Sequence, residues 1–269
     1  MRILHVTAED QVRNLHLHEQ GLRWIEQANE PILALERIYP AGFKVPRHAH
    51  KRAQLWFARR GVVLVSTDDR RWMLPGDHAL FIPGGVAHQV EVVTDVEMHS
   101  IYVADTAERA RVLEVTPLGR NLIAELVKGD WQPERRRRLE LVSELLLDEL
   151  RQFAERPLGL PFPTDARLAR LCRQFLDAPS ANAGIDDWAR ALGIGRRTFT
   201  RLFRAETGVS FVTWRQQACL FAALPRLAAG EPVTTVALDA GYENIAAFST
   251  MFRRVLGRSP RSYLDMPEA

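Results

Sequence analysis

The feature that most constrains this chain is a pattern that occurs twice near its C-terminus. Ala189 and Gly193 are followed by Phe199, Phe203, Arg204, Gly208 and Ser210. Ala237 and Gly241 are followed by Phe248, Phe252, Arg253, Gly257 and Ser259 at the same spacings, except that the turn is one residue longer. Phenylalanines four apart lie on one face of a helix and can plug a core. The small Ala and the Gly before them let two crossing helices approach at a tight turn. The later glycine stops the second helix. Ser259 then caps a short further helix, with Pro260 at its first position, where a missing N–H costs nothing. A repeat of this length predicts two helix-turn-helix units in tandem. The plainer alternative is a helical bundle with two similar hairpins.

The second copy reads Gly241-Tyr242, Phe248, Phe252-Arg253-Arg254, Gly257, Ser259-Pro260, Tyr263. At these residues the chain resembles the AraC/XylS family of bacterial transcription regulators, over about its last 105 residues. The resemblance implies a module that places two recognition helices in successive major grooves of double-stranded DNA. Charge agrees. Residues 160–269 carry 14 Arg, no Lys and 10 acidic side chains, and the rest of the chain is close to neutral. Arginine is the better phosphate and groove reader, because its planar fork binds bidentately.

Within this region a helix is expected from Asp165 to Leu176. Asp186 is expected to cap a helix over Asp187–Leu192, and a recognition helix follows over Arg196–Glu206. Phe199, Leu202 and Phe203 face inward by spacing, so Arg196, Arg197, Thr200, Arg201 and Arg204 form the groove face. The resemblance puts Arg197, Thr200 and Arg201 at base-reading positions. In the second unit Asn244, Ala246, Ala247, Ser249, Thr250 and Arg253 form the corresponding set. They have little to grip guanine with, and suit thymine methyls, shape and phosphates. A connecting helix runs over Phe211–Ala229. Pro225 inside it removes one backbone bond and crowds the Phe221 carbonyl. It is expected to kink or interrupt the helix and so disturb a spacing of about 34 Å between recognition helices.

Residues 1–106 are different. Short apolar segments (32–38, 55–57, 62–65, 72–74, 79–82, 86–93, 98–103) alternate with turn signals, as in an antiparallel sandwich or barrel. All eight histidines fall between residues 5 and 99. His48 and His50, two apart, would point to one face of a strand. Gly42, His48, His50, Gln54 and Gly61 resemble the first signature of the cupins, small jelly-roll barrels. Pro83, Gly85 and His88 resemble the second. Gln54 stands where metal cupins usually have Glu, and Gly76 lies one residue further from Pro83 than usual. In the AraC/XylS family such a barrel commonly binds an effector. His48, His50, Gln54 and His88 are the candidate effector or metal set. Nickel, zinc, cobalt or iron(II) would suit the imidazoles, and no cofactor is required. Satisfied core histidines, or a pocket for an apolar effector, are the alternatives.

Residues 107–156 are expected to be helical, over Thr116–Lys128 and Pro133–Arg156. Leu139, Val142, Leu145, Leu146, Leu150 and Phe153 form a stripe that packs on the barrel or on a second copy. The resemblance favours a homodimer contact here. Arg135 to Arg138 fan round the helix as a solvated face. Pro157, Gly159, Pro161 and Pro163 mark a linker before the DNA-binding domain, residues 163–265.

Cys172 and Cys219 have no metal or redox spacing. No apolar run is long enough to span a membrane, and no signal peptide leads the chain, so a cytoplasmic protein is expected. The fold class is α+β multidomain: a cupin-like antiparallel β-barrel, then an all-α tandem helix-turn-helix domain. Two functions compete. One is a transcription regulator controlled by a small molecule or metal, with RNA polymerase a candidate partner. The other is a dioxygenase-like cupin enzyme using His48, His50 and His88. An enzyme has no need of two arginine-bearing recognition helices, so the repeat favours the regulator, and no catalytic activity is expected.

Overall fold

The computed structural model describes residues 8–28, 30–75, 78–104, 109–129, 133–156 and 158–264. Gly76, Pro157, the 106/107 boundary and the 265 end point lie outside them. The chain divides into two units: Met1–Asp68 with Trp72–Pro157, and Asp69–Arg71 with Leu158–Ala269.

The first unit opens with a helix the sequence analysis did not anticipate, α1 (Ala8–Gln27). Then come β1 (Ile32–Tyr39), β2 (Lys44–His48), β3 (Ala53–Arg60), β4 (Val63–Ser66), β5 (Arg70–Leu74), β6 (His78–Ile82), β7 (His88–Val92), β8 (Val96–Val103) and β9 (Arg111–Glu114). Next are α2 (Pro117–Val127), α3 (Pro133–Glu149) and β10 (Ala154–Arg156). One sheet runs β1-β8-β3-β6-β9-β10, and facing strands pair as β5-β4-β7-β2. This is the expected antiparallel, jelly-roll-like layout. Gly42, Gly61 and Gly85 all hold positive φ, at 84°, 81° and 81°. At Gly61 a Cβ would sit 2.2 Å from the Asp95 carbonyl oxygen, so the turn also needs the absent side chain.

Alternation along β3 divides its residues. Ala53, Leu55 and Phe57 join Phe81, Ile101 and Leu113 in a core closed by Ile123, Leu126, Leu139, Leu146 and Phe153. The stripe on α3 therefore packs on the barrel. Leu145, 44% exposed, is the member left outside. The segment after residue 106 is not wholly helical, because β9 and β10 lie in it. The helix expected to reach Arg156 stops at Glu149, and Ala154–Arg156 pairs with β9 as Ala154↔Glu114 and Arg156↔Val112. An open sheet edge is a strong competitor for a chain passing beside it. Gly119 makes room for the turn, since a Cβ there would meet the Phe153 ring at 2.4 Å. Arg135 and Arg138 pair with Glu125, and Arg136 and Arg137 with Glu140, as a solvated face should.

The second unit contains β11 (Gly159–Pro161), α4 (Ala166–Asp177), α5 (Ile185–Ala191), α6 (Arg196–Thr207), α7 (Phe211–Ala228), α8 (Val233–Asp239), α9 (Ile245–Leu256) and α10 (Pro260–Leu264). The expected linker is ordered from Leu158 on. Leu158 and Leu160 are buried, and Trp214 Nε1 donates to the Pro161 carbonyl (2.8 Å). Asp165 caps α4 by accepting from Arg167 and Leu168 N–H. Asp186 does not cap α5. Gly184 holds that place in extended geometry, and Asp186 and Asp187 lie in the first turn, where they suit the helix dipole. Helix α7 is not interrupted at Pro225. It continues to Ala228, so the proline falls in the last turn and only the Phe221 carbonyl loses its helical donor. Among the described residues no helix is long and apolar enough to cross a membrane.

Candidate functional sites

The two turns of the repeat are the same structure. After α5, Gly193 N–H donates to Arg190 O (3.0 Å) and Ile194 N–H to Ala189 O (3.0 Å). After α8, Gly241 N–H donates to Leu238 O (2.9 Å) and Tyr242 N–H to Ala237 O (3.1 Å). This is the Schellman pattern, which needs a left-handed residue, and the two glycines hold φ of 68° and 78°. Beyond each turn the phenylalanines lock the second helix. Phe199 and Phe203 pack round Trp188 with Phe211 and Trp214. Phe248 meets Tyr242 edge-to-face, and Phe252 meets Tyr263 the same way.

That packing fixes what faces out. On α6, Arg196, Arg197, Thr200, Arg201 and Arg204 are all exposed, along one concave strip. Arg196 is tied to Asp186 (3.1 Å), and Thr200 Oγ1 donates to the Arg196 carbonyl (3.0 Å). On α9, Ala246, Ala247, Thr250 and Arg253 are exposed and Ser249 is half-buried. Asn244 precedes the helix as its N-cap, its Oδ1 accepting from Ala247 N–H at 2.8 Å. The cap uses one lone pair of that oxygen and leaves the amide N–H donors free for a partner. Leu202 is half-buried rather than buried, and Met251 at the matching place on α9 is buried.

In the barrel, strand pairing sets His48 of β2 opposite His88 of β7, just after a register shift. His50 lies beyond the end of β2, yet its ring remains 6.0 Å from that of His48 and 5.3 Å from that of His88. One ring nitrogen from each of the three comes within 4.8 Å of the others. The Nδ1 atoms face backbone carbonyls: His48 to Pro46 (2.9 Å), His50 to Arg52 (2.6 Å) and His88 to Val86 (2.9 Å). A carbonyl only accepts, so each Nδ1 carries the proton and donates. Burial drives the His48 pKa down. Burial and the neighbouring His48 push His88 down to about 3. In the neutral rings Nε2 keeps its lone pair, and His88 Nε2 is buried without a partner.

Gln54 lies against this group. Its Oε1 is 2.8 Å from His50 Nε2, and its Nε2 is within reach of Ser100 Oγ (3.2 Å) and Tyr102 OH (2.8 Å). With Nδ1 donating to Arg52 O, a neutral His50 ring would set two acceptors face to face. A half-turn of the amide would relieve this, and so would a cation between them. Ser100, Tyr102 and, on α1, His18 belong to the same locality and were missed. The His18 ring meets that of His48 edge-on at 4.8 Å. The signal was there in sequence: Gln11, Asn14, Leu15, His18, Gly21, Leu22 and Ile25 recur at helical spacing and form the less exposed face of α1. The cleft between α1 and the sheet, beside His18 and Tyr102, holds about 20 Å³, room for one water.

A second cluster, Glu36, Glu97 and His99, could also gather round an ion. There Arg59 already donates to Glu97 (2.5 Å) and supplies a resident cation.

Residues 30–154 match the model of the AraC-like ligand binding domain, and residues 188–266 that of a helix-turn-helix domain. The HTH-type transcriptional regulator NimR of Escherichia coli is 31% identical over 223 residues, covering 81% of this chain and 82% of that one. The arabinose operon regulatory protein of E. coli is 27% identical over 131 residues, covering 46% of this chain and 42% of its own. The regulatory protein SoxS of E. coli is 32% identical over 91 residues, covering 34% of this chain and 82% of its own. These relatives are regulators, and the enzyme alternative falls. With a ligand-binding model over the barrel, a helix-turn-helix model over the repeat and a relative aligned along most of both lengths, the protein belongs to the AraC/XylS family of DNA-binding transcription regulators.

Proposed function

We propose that the barrel senses a divalent transition metal, with His48, His50 and His88 as ligands, Gln54 as a neutral donor, and DNA binding as the output. The observation that carries this is the shared tautomer. Three imidazoles each commit Nδ1–H to a backbone carbonyl, which leaves three Nε2 lone pairs directed to one locality. Metal-bound histidines are held this way, the outer hydrogen bond fixing ring and tautomer. His50 Nε2 and Gln54 Oε1, 2.8 Å apart, have the separation of neighbouring ligands round an ion with bonds of about 2.0–2.1 Å. A neutral amide binds more weakly than a carboxylate, which suits a reversible sensor. Nickel, zinc, cobalt and iron(II) are the candidate ions.

Metal analysis of the purified full chain tests the proposal. Near-stoichiometric metal is expected, lost in the His48→Ala, His88→Ala double variant, together with operator binding that changes on chelation. Protein that metals neither stabilise nor switch would exclude a metal effector and favour an organic one, leaving DNA binding intact.

Arg197, Thr200, Arg201 and Arg204 would read the first half-site, and Ala246, Ala247, Ser249, Thr250 and Arg253 the second. Affinity should then fall steeply with salt, through counterion release. A homodimer would use the outer face of α3, where Leu141 (48% exposed) and Leu145 sit beside Arg137 and Arg138. Sedimentation of a Leu141→Glu, Leu145→Glu variant tests that contact. Such a protein would work in the cytoplasm, with RNA polymerase as its next partner on the promoter.

A further inference from the structure

Helix α1 runs alongside the segment that carries two of the three histidines. Gln11 Nε2 donates to Lys44 O (2.7 Å), and Lys44 N–H donates back to Gln11 Oε1 (3.3 Å). At the other end, Lys51 N–H donates to Glu26 Oε1 (2.8 Å), and Arg52 donates to Ala28 O (2.7 Å). Leu22 and Ile25 pack against Leu33 and Tyr102 of the sheet. His18 is midway along this seam, two turns after Gln11, and its ring lies 4.8 Å from that of His48.

His18 Nε2 is buried and has no hydrogen-bond partner. An orphaned ring nitrogen costs free energy that an aliphatic side chain would not incur. A partner that arrives only with the ligand accounts for it. The His18 nitrogen is not among the three that already lie within mutual reach. It joins them by a side-chain rotation or a small advance of α1.

We infer that His18 is a further metal ligand of the barrel site, so that loading the ion tightens the seat of helix α1 on the barrel. The inference rests on the proposed three-histidine site and adds a moving part to it. The three ligands of the barrel are fixed by strand pairing and backbone carbonyls. The ligand on α1 belongs to an element held mainly along one face, and its seating therefore reports occupancy.

Cobalt(II) added to the full chain tests this. In a His18→Cys variant a thiolate-to-cobalt charge-transfer band is expected in the near ultraviolet. The wild-type chain should lack it, because Cys172 and Cys219 are buried in the other unit. In a His18→Ala variant cobalt affinity should fall roughly tenfold or more. The protection from hydrogen exchange that cobalt gives α1 amides in the wild-type chain should also be lost. If the Cys variant binds cobalt without the band, or the Ala variant binds with unchanged affinity and still protects α1, His18 is no ligand and the three-histidine site stands. A wild-type chain that binds neither cobalt, nickel nor zinc overturns the site itself, and this inference with it.

Discussion

The two helix-turn-helix units share a framework and differ on their surfaces. With the second helices aligned, Phe199 and Phe248, Phe203 and Phe252, Arg204 and Arg253, Gly208 and Gly257, and Ser210 and Ser259 correspond. Gly208 and Gly257 end their helices at φ of 75° and 76°, each donating its N–H to the arginine carbonyl four residues upstream. The outward positions part company: Arg196 against Ile245, Arg197 against Ala246, Arg201 against Thr250. The interiors differ too: Trp188 in the first unit answers to Val236 in the second, Leu202 to Met251 and Thr207 to Leu256. Backbone geometry tolerates few residues at a left-handed turn or a packed ring, so those positions repeat. Outward positions answer only to the partner, and they diverge. The first unit presents exposed arginines at these positions. The second presents small and apolar groups, including Ile245 at 41% exposure.

The largest test of this contrast is in the core. Trp188→Ala should cost about 3–5 kcal/mol of stability in urea titration, and Val236→Ala about 2 kcal/mol. Equal losses would mean the aromatic cluster adds nothing that aliphatic packing does not. Next come the turns. Gly193→Ala faces open space and should cost roughly 1–2 kcal/mol for its left-handed backbone. Gly241→Ala should cost more, because its Cβ would lie 2.4 Å from Ser180 Oγ and 3.1 Å from the Ala181 nitrogen. A Gly241→Ala protein that melts no lower than Gly193→Ala would remove the Ser180–Asn182 loop from the second unit's support.

On DNA, Arg201→Ala should weaken operator binding by about 1–3 kcal/mol and relax preference at one base pair. Thr250→Ala, at the equivalent position, should lose less. Mobility shifts at fixed salt, on operator and random duplexes, compare the two. A greater loss at Thr250 would invert the division of labour. The smallest effects concern the caps. Asn244→Ala should cost about 1 kcal/mol, whereas Gly195→Asn in the uncapped first unit should gain a few tenths. A Gly195→Asn variant that loses stability would show that this N-cap position has no room for the side chain.

The repeat was legible because its signals are local. Phe spacing, turn glycines, the Ser259 cap and the ends of α2 and α6 follow from a few neighbouring residues. Most strands of the barrel were legible for the same reason, with the glycines that turn them, but β9 and β10 fell where helix was expected. Local rules also gave the errors. Asp186 looked like a cap because Asp caps helices, but Gly184 begins the helix earlier. The α3 pattern ran on in sequence to Arg156, but the open edge of β9 captured the last residues as a strand. Pro225 was expected to kink or interrupt α7, but the helix runs on to Ala228, because the proline falls in the final turn and removes one bond.

What the sequence determined by itself is therefore most of the elements, though not α1, β9 or β10, together with the duplicated DNA-binding framework and the outward arginines of its first half. What only the tertiary structure decided is convergence. His48 and His88 meet because β2 and β7 pair in one register. Gln54 reaches His50 because alternation turns it to the inner face of β3, with Ser100 and Tyr102. His18 arrives on a helix whose inner stripe is plain in sequence but whose docking face is not. Periodicity says which side of an element is buried. It does not say against what, because the partner is chosen by contacts between residues far apart in the chain.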